Sequence, residues 1–242
     1  MKHAHLLIST TGLWLLSLLL PACNGAKDPF AGKTVEDMDM ALEMMEHRES
    51  NNPSPGKKAP DLTLTDRETG KRVKLSSFWK EKPAVLIFGS LSCDRTYEST
   101  PDVMQLHSRF KDNYQFVFVY IREAHPSNGW EYVEGYPKVV DPSSLEIRKN
   151  VASRFCRTFE PEFPTVIDDL DDKAAVRYAA WPLRLYVVDQ KGIVKYQGDP
   201  GPWGFRPTEQ SKVLYFKNEP DSKVDWVPDP KKSVSLESFL MR

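Results

Sequence analysis

Hydrophobic positions along the 242 residues follow two periods. Continuous apolar runs of strand length fall at 84–88 (A-V-L-I-F) and 116–121 (F-V-F-V-Y-I). Both are rich in β-branched and aromatic residues, as strands covered on both faces are. Shorter runs predict further strands at 59–64, 72–75, 164–168, 184–189 and 193–197. Helical spacing takes over between them. Val103, Leu106 and Phe110 share one face of a helix predicted from Cys93 to about Lys111, with Pro101 inside it. Ser143 or Ser144 can cap a helix reaching about Arg157; a brief helix follows at 173–178, and Thr208 opens a last one to about Lys217. Strands alternating with helices and closed by a hairpin predict an α/β fold, a central mixed sheet flanked by helices. The runs at 59–64 and 72–75, joined by the turn at 68–71, predict an N-terminal hairpin extension. Upstream, Val35, Met38, Leu42 and Met45 predict an amphipathic helix over 35–48, with Thr34 as its cap.

Polar and proline-containing stretches divide the chain. Residues 50–58 (S-N-N-P-S-P-G-K-K) read as a linker, and 218–242 as a loosely held tail. The run at 13–20 is apolar apart from Ser17 and follows Lys2. It is too short to span a bilayer and reads as a signal peptide. It ends in Leu20-Pro21-Ala22-Cys23, which resembles a bacterial lipobox, with Cys23 as the lipidated residue. Ordinary cleavage near Ala22 or Cys23 is the alternative. The expected organisation is a lipoprotein-type signal peptide (1–22), a tether with a short helix and linker (23–55), a main domain (56–217) and a tail (218–242). The expected location is outside the cytosol, membrane-anchored on the periplasmic or extracellular side. A net charge of −1, from 33 basic and 34 acidic residues, gives no electrostatic reason to bind nucleic acid. Homodimer formation stays open. Three cysteines make no disulfide framework and are read one at a time.

The strand at 84–88 breaks at Gly89-Ser90 and delivers Cys93 to the start of a helix. There the first unpaired N–H groups and the positive end of the helix dipole favour thiolate, the reactive form. Arg95 adds to that effect if it points inward. Thr96 holds the place of a second cysteine, so there is no C-x-x-C and no dithiol exchange within the turn. Ser90 stands three residues before Cys93, as the hydroxyl does in S/T-x-x-C peroxidase motifs, and can hydrogen-bond the sulfur. Glu123 and His125 end the neighbouring strand, on the rim where the cysteine turn lies. Cys156, beside Phe155 and Phe159, is either an inert buried thiol or a partner that resolves an oxidised Cys93.

Together these features resemble the thioredoxin fold. The opening G-K-K-A-P-D-L-T-L at 56–64 is similar to that of redoxins and peroxiredoxin-like proteins. Pro182, just before the strand at 184–189, is by that resemblance a cis proline shaping the substrate groove. A narrower resemblance rests on F-G-S-L-S-C at 88–93, V-Y-I-R-E-A-H-P-S-N-G-W at 119–130, R-L-Y-V at 184–187, and Y-Q-G at 196–198 with G-P at 201–202 and G-F at 204–205. It is to the iodothyronine deiodinases and covers about 83–207. The family carries selenocysteine at the Cys93 position. It often has a cysteine where Leu91 stands, and its vertebrate members place a histidine in the segment matching 135–144, where none occurs here.

What the resemblance implies is reductive removal of iodine from an aromatic substrate, with Cys93 as nucleophile, His125 as proton donor and Glu123 as its partner. Arg184 then receives the substrate's carboxylate, which its planar guanidinium suits. Tyr120 is expected to hydrogen-bond into the site, and Asp168 is a weaker candidate for proton relay. No cofactor is expected beyond an external thiol reductant. Two alternatives stand beside this reading: a thiol peroxidase acting on peroxide, and a non-enzymatic binding module.

Overall fold

The computed structural model describes residues 30, 33, 35–49, 52–130, 133–211 and 233–242. The leader at 13–20 and Cys23 lie outside the described residues, as do Thr34 and most of the expected tail. No helix among the described residues is long and apolar enough to cross a membrane.

Both continuous apolar runs become central strands. β3 (Ala84–Gly89) pairs in parallel with β4 (Gln115–Tyr120), which pairs in parallel with β5 (Thr165–Ile167). β6 (Arg184–Val188) and then β7 (Val194–Gln197) extend the sheet antiparallel beyond β3. β1 (Thr63–Asp66) and β2 (Arg72–Lys74) form the expected hairpin. The hairpin is part of the main sheet, because β1 also pairs antiparallel with β5, giving the order β2-β1-β5-β4-β3-β6-β7.

Alternation along the strands builds two cores. Leu86, Phe88, Val117, Val119 and Tyr186 face one side. There they meet Ala41, Met44 and Met45 of α1 (Met38–Glu49), Trp79 of a 3-10 turn, and Ala174 and Ala175 of α4 (Lys173–Arg177). Val85, Ile87, Phe116, Phe118 and Val187 face the other. That side is covered by α2 (Asp94–Phe110), through Val103 and Leu106, and by α3 (Leu145–Phe159), through Val151 and Phe155. Phe155 stacks on Phe118 at 4.4 Å. Each Val, Leu, Ile, Phe or Met among them, once buried, contributes about 1.5–3 kcal/mol. Sheet order, the central parallel pair and the cis Trp181-Pro182 bond make this a thioredoxin-like fold, as expected.

Local chemistry moves several expected boundaries. α1 starts at Met38, because Asp37 Oδ1 caps it by accepting the Met40 N–H (2.8 Å); Val35 stays outside the helix, and its carbonyl accepts the Trp130 N–H. The strand expected at 59–64 begins only at Thr63: Pro60 has no N–H, and the Asp61 carboxylate turns aside to accept the Ser76 N–H. α3 is capped as foreseen by Ser144, whose hydroxyl accepts the Ile147 N–H. Residues 208–211 are a turn closed by the Thr208 N–H on Ser211 Oγ, and the rest of the helix expected to about Lys217 lies outside the described residues. The tail is not loose at its end. α5 (Leu236–Leu240), capped by Ser235, buries Leu236 and Leu240 in the second core, and Glu237 pairs with Arg109 of α2.

Candidate active site

β3 ends at Gly89 because α2 begins immediately above it. A Cβ there would lie 2.5 and 2.8 Å from side-chain atoms of Thr96, so only glycine lets strand and helix approach this closely. Cys93 is the N-cap residue of α2, in extended conformation, as the strand-to-helix break predicts. The environment of the sulfur does not match the expectation of a thiolate. Cys93 is 1% exposed, and burial, with the Asp94 carboxylate beside it, pushes its thiol up to about 12. The Thr96 hydroxyl and the Arg95 and Thr96 N–H groups act in the opposite direction but do not prevail. Thr96 Oγ1 has no well-aligned hydrogen bond, although it lies close enough to the sulfur to favour the thiolate. The Arg95 guanidinium is ion-paired with Glu98 at 3.2 Å. At rest Cys93 is therefore a thiol.

The turn that carries it is clamped from β4. Tyr120 Oη accepts the Leu91 N–H (3.0 Å) and donates to Glu123 Oε1 (2.5 Å); Glu123 Oε2 accepts the Ser92 N–H (2.9 Å). Ser90 Oγ accepts the Ala124 N–H (3.2 Å), and Ser92 Oγ accepts the His125 N–H (3.1 Å). Two adjacent loops thus satisfy one another's buried backbone donors. Burial raises the Glu123 carboxyl despite the hydrogen bonds from Ser92 and Tyr120, and burial beside that carboxyl raises the Tyr120 hydroxyl well above its usual value. Glu123 and Tyr120 are buried members of this clamp, and Ser90 belongs to it as an acceptor.

His125 is held between the two neighbours of Cys93. Its N–H is on Ser92, its ring packs on Trp130 at 4.8 Å, and Nε2 is 3.9 Å from Asp94 Oδ1. The carboxylate facing the imidazole is that of Asp94, whereas the expected partner, Glu123, is engaged with Ser92 and Tyr120.

Two other candidates are also committed. Arg184 is buried on β6, opposite Phe88, and its guanidinium makes a double contact with Glu49 of α1 (2.6 and 3.2 Å). Asp168 follows β5, and its carboxylate accepts the Ala174 and Ala175 N–H groups at 3.0 Å, fixing the start of α4. Burial, with Asp172 next, raises it to about 7. Its carboxylate is taken up by the first turn of α4. Pro182 is cis and adjoins Trp181, whose indole N–H reaches the Glu123 carbonyl at 3.3 Å. Cys156 points its thiol at Thr165 Oγ1 (3.4 Å) on β5, two strands from β3, and no disulfide joins it to Cys93.

The family model for iodothyronine deiodinase matches residues 26–218. The chain belongs to the iodothyronine deiodinase family. Thyroxine 5-deiodinase of Gallus gallus is 30% identical over 155 residues, 64% of this chain and 59% of that protein. Type I iodothyronine deiodinase of Xenopus laevis is 29% identical over 188 residues, 76% of this chain and 72% of that protein. The chain thus spans about three fifths of the chicken deiodinase it matches. Among solved structures, a putative thiol:disulfide interchange protein DsbE from Chlorobium tepidum is 22% identical, with a TM-score of 0.45 over 60% of this chain and 85% of that one. An uncharacterized conserved protein from Geobacillus kaustophilus is 20% identical, with a TM-score of 0.49 over 68% and 77%.

In this deiodinase-family domain, three participants were not foreseen. Ser92, one residue before the cysteine, carries no sequence signal beyond that position, and its hydroxyl holds the His125 N–H. Asp94, the first residue of α2, brings its carboxylate beside both the imidazole and the sulfur. A buried ion cluster, Arg122 with Asp141 (3.1 Å) and Arg148 with Asp172 (2.9 Å), underlies the site; Arg122 adjoins Glu123 in sequence. Its members lie far apart in the chain, and no local pattern announces them.

Proposed function

We propose that this protein is a thiol-dependent oxidoreductase that reductively removes iodine from an iodothyronine-like aromatic substrate. The observation that carries this is the fastening of His125 to both neighbours of Cys93, in a chain that belongs to the iodothyronine deiodinase family. In the proposed step sulfur attacks iodine as the carbon–iodine bond breaks. An S–I bond and a C–H bond form, and the thiol and carbon–iodine bonds are lost. The proton starts on Cys93, because the resting group is a thiol. His125 takes it and delivers it to the aryl carbon, and the Asp94 carboxylate stabilises the imidazolium in between. An external thiol then attacks the sulfenyl iodide, releasing iodide and leaving a mixed disulfide. A second thiol restores Cys93 and leaves as the disulfide. Glu123 and Tyr120 act through the turn they hold.

The test is iodide release from an iodothyronine by the purified protein with a dithiol, beside its Cys93→Ser variant. Release no greater than from Cys93→Ser refutes the reading. An Asp94→Asn variant, which removes the carboxylate facing the imidazole, should slow iodide release. The same reading has Cys23 as a lipid anchor outside the cytosol, so Cys23→Ser should move the protein to the soluble fraction.

A further inference from the structure

The apolar face of α1 carries one charge. Ala41, Met44 and Met45 recur at helical spacing and are buried against the sheet. The next position on that face is Arg48, which is 0% exposed. A leucine would fill that place without the desolvation that a guanidinium costs. The Arg48 guanidinium lies over the Trp181 ring at 5.7 Å. An indole face is the aromatic surface that holds a cation best, and the attraction grows where water is excluded. A planar cation stacked on it also fixes the plane of the ring.

Trp181 passes that orientation on. Its indole N–H donates to the Glu123 carbonyl at 3.3 Å, in the loop that carries His125 two residues later. The N-terminal segment reaches the same loop at two further points. The Phe30 carbonyl accepts from Arg122 Nη1 (3.2 Å), and the Val35 carbonyl accepts the Trp130 N–H (2.5 Å). Trp130 packs its ring on the imidazole at 4.8 Å. His125 thus lies between residues 122–123 and 130, and both sides are tied to residues 30–48, upstream of the main domain expected at 56–217.

We propose that Arg48 and Trp181 are positioning residues for His125, so that the N-terminal segment is a working part of the active site. Arg48 sets Trp181, Trp181 sets the Glu123 carbonyl, and Val35 sets Trp130. Between them the imidazole keeps one orientation, with Nε2 toward Asp94. The consequence for turnover rests on the deiodinase reading; the positioning does not.

The experiment uses the full chain with labelled histidines and reads the imidazole protons by NMR at one pH. The Trp130 ring current displaces the His125 signals; Trp130→Leu gives their undisplaced place, and His125→Gln assigns them. His107, packed against Phe116 and Phe163 in the second core (5.3 and 5.1 Å), is the control. Arg48→Met keeps the bulk and removes the planar cation. Trp181→Phe keeps a ring and removes the N–H. In both, the His125 signals should move most of the way to their place in Trp130→Leu, while those of His107 stay. The double variant should move them no further than either single one, since both cut the same chain of contacts. In the iodide assay each should lower kcat about 10- to 100-fold and leave KM within about twofold. Unmoved His125 signals, His125 and His107 signals that move together, or an unchanged kcat in variants whose His125 signals have moved overturn the proposal. If Arg48→Met does not fold, Arg48→Lys, which keeps the cation and loses the planar stack, decides with Trp181→Phe by the same signals. Iodide release with unmoved His125 signals refutes the positioning alone. Moved signals in a protein whose parent releases no iodide refute the deiodination reading alone.

Discussion

Replacing Glu123 by alanine isolates the clamp on the Cys93 turn. The carboxylate accepts two donors, the Ser92 N–H at 2.9 Å and the Tyr120 O–H at 2.5 Å, in a site where the residue is 1% exposed. Alanine leaves both donors buried, at about 1–3 kcal/mol each. Relief from no longer burying a carboxyl, which burial raises here, offsets part of this, so a net of about 2–4 kcal/mol is expected. That energy is lost from the closed state of residues 90–93, the segment that covers the sulfur. A buried thiol reacts through opening. At 1.4 kcal/mol per tenfold, alkylation of Cys93 by iodoacetamide should therefore speed up about 30- to 700-fold. The assay is the pseudo-first-order alkylation rate at fixed pH, with Cys156→Ser to leave one described thiol, beside a urea titration of the same protein. Tyr120→Phe should have a smaller effect, about 1–2 kcal/mol, since it orphans the Leu91 N–H and removes one donor from Glu123. In Tyr120→Phe/Glu123→Ala the two losses should fall short of their sum by about 0.5–2 kcal/mol, because they share one hydrogen bond. An alkylation rate within threefold of the parent, or strict additivity in the double variant, would refute the clamp.

Two further predictions concern the frame of the site. Gly89→Ala should destabilise the fold by about 1–3 kcal/mol in urea, because the new methyl meets two side-chain atoms of a buried, stiff threonine. Thr96→Ala in the same chain should restore most of the loss, and its failure to do so would rule out that contact as the cause. Asp168, raised to about 7 in the folded protein against about 3.9 in an unfolded chain, binds its proton more tightly when folded. Its contribution to stability is thus full below about pH 4, falls as pH rises to about 7, and is flat above. Asp168→Asn should remove that slope from the urea midpoints; identical profiles for parent and variant would show that Asp168 does not titrate there.

The sequence alone determined whatever depends on neighbours in the chain. The periods of 84–88 and 116–121 placed the central strands, since a fully apolar run that is short and β-branched suits a strand buried on both faces. The break at Gly89-Ser90 put Cys93 at the N-cap of a helix, and Ser144 capped the next one. The E-A-H-P-S-N-G-W run pointed to the iodothyronine deiodinase family to which the chain belongs. Tertiary structure decided how those groups are charged and with whom they pair. The helix dipole argued for a thiolate, but it is a local field, whereas burial removes solvation from all directions, and burial prevailed. The family resemblance paired His125 with Glu123. In space Glu123 turns to the backbone of the facing loop, and the carboxylate that meets the imidazole is Asp94, from the start of α2. Asp168 lies on a strand end as read, but a helix start needing acceptors claims it first. Arg184 found its carboxylate 135 residues away, on a helix that the sequence marked only as amphipathic. A guanidinium shows its need for a partner in any sequence; which carboxylate answers depends on how the chain folds back.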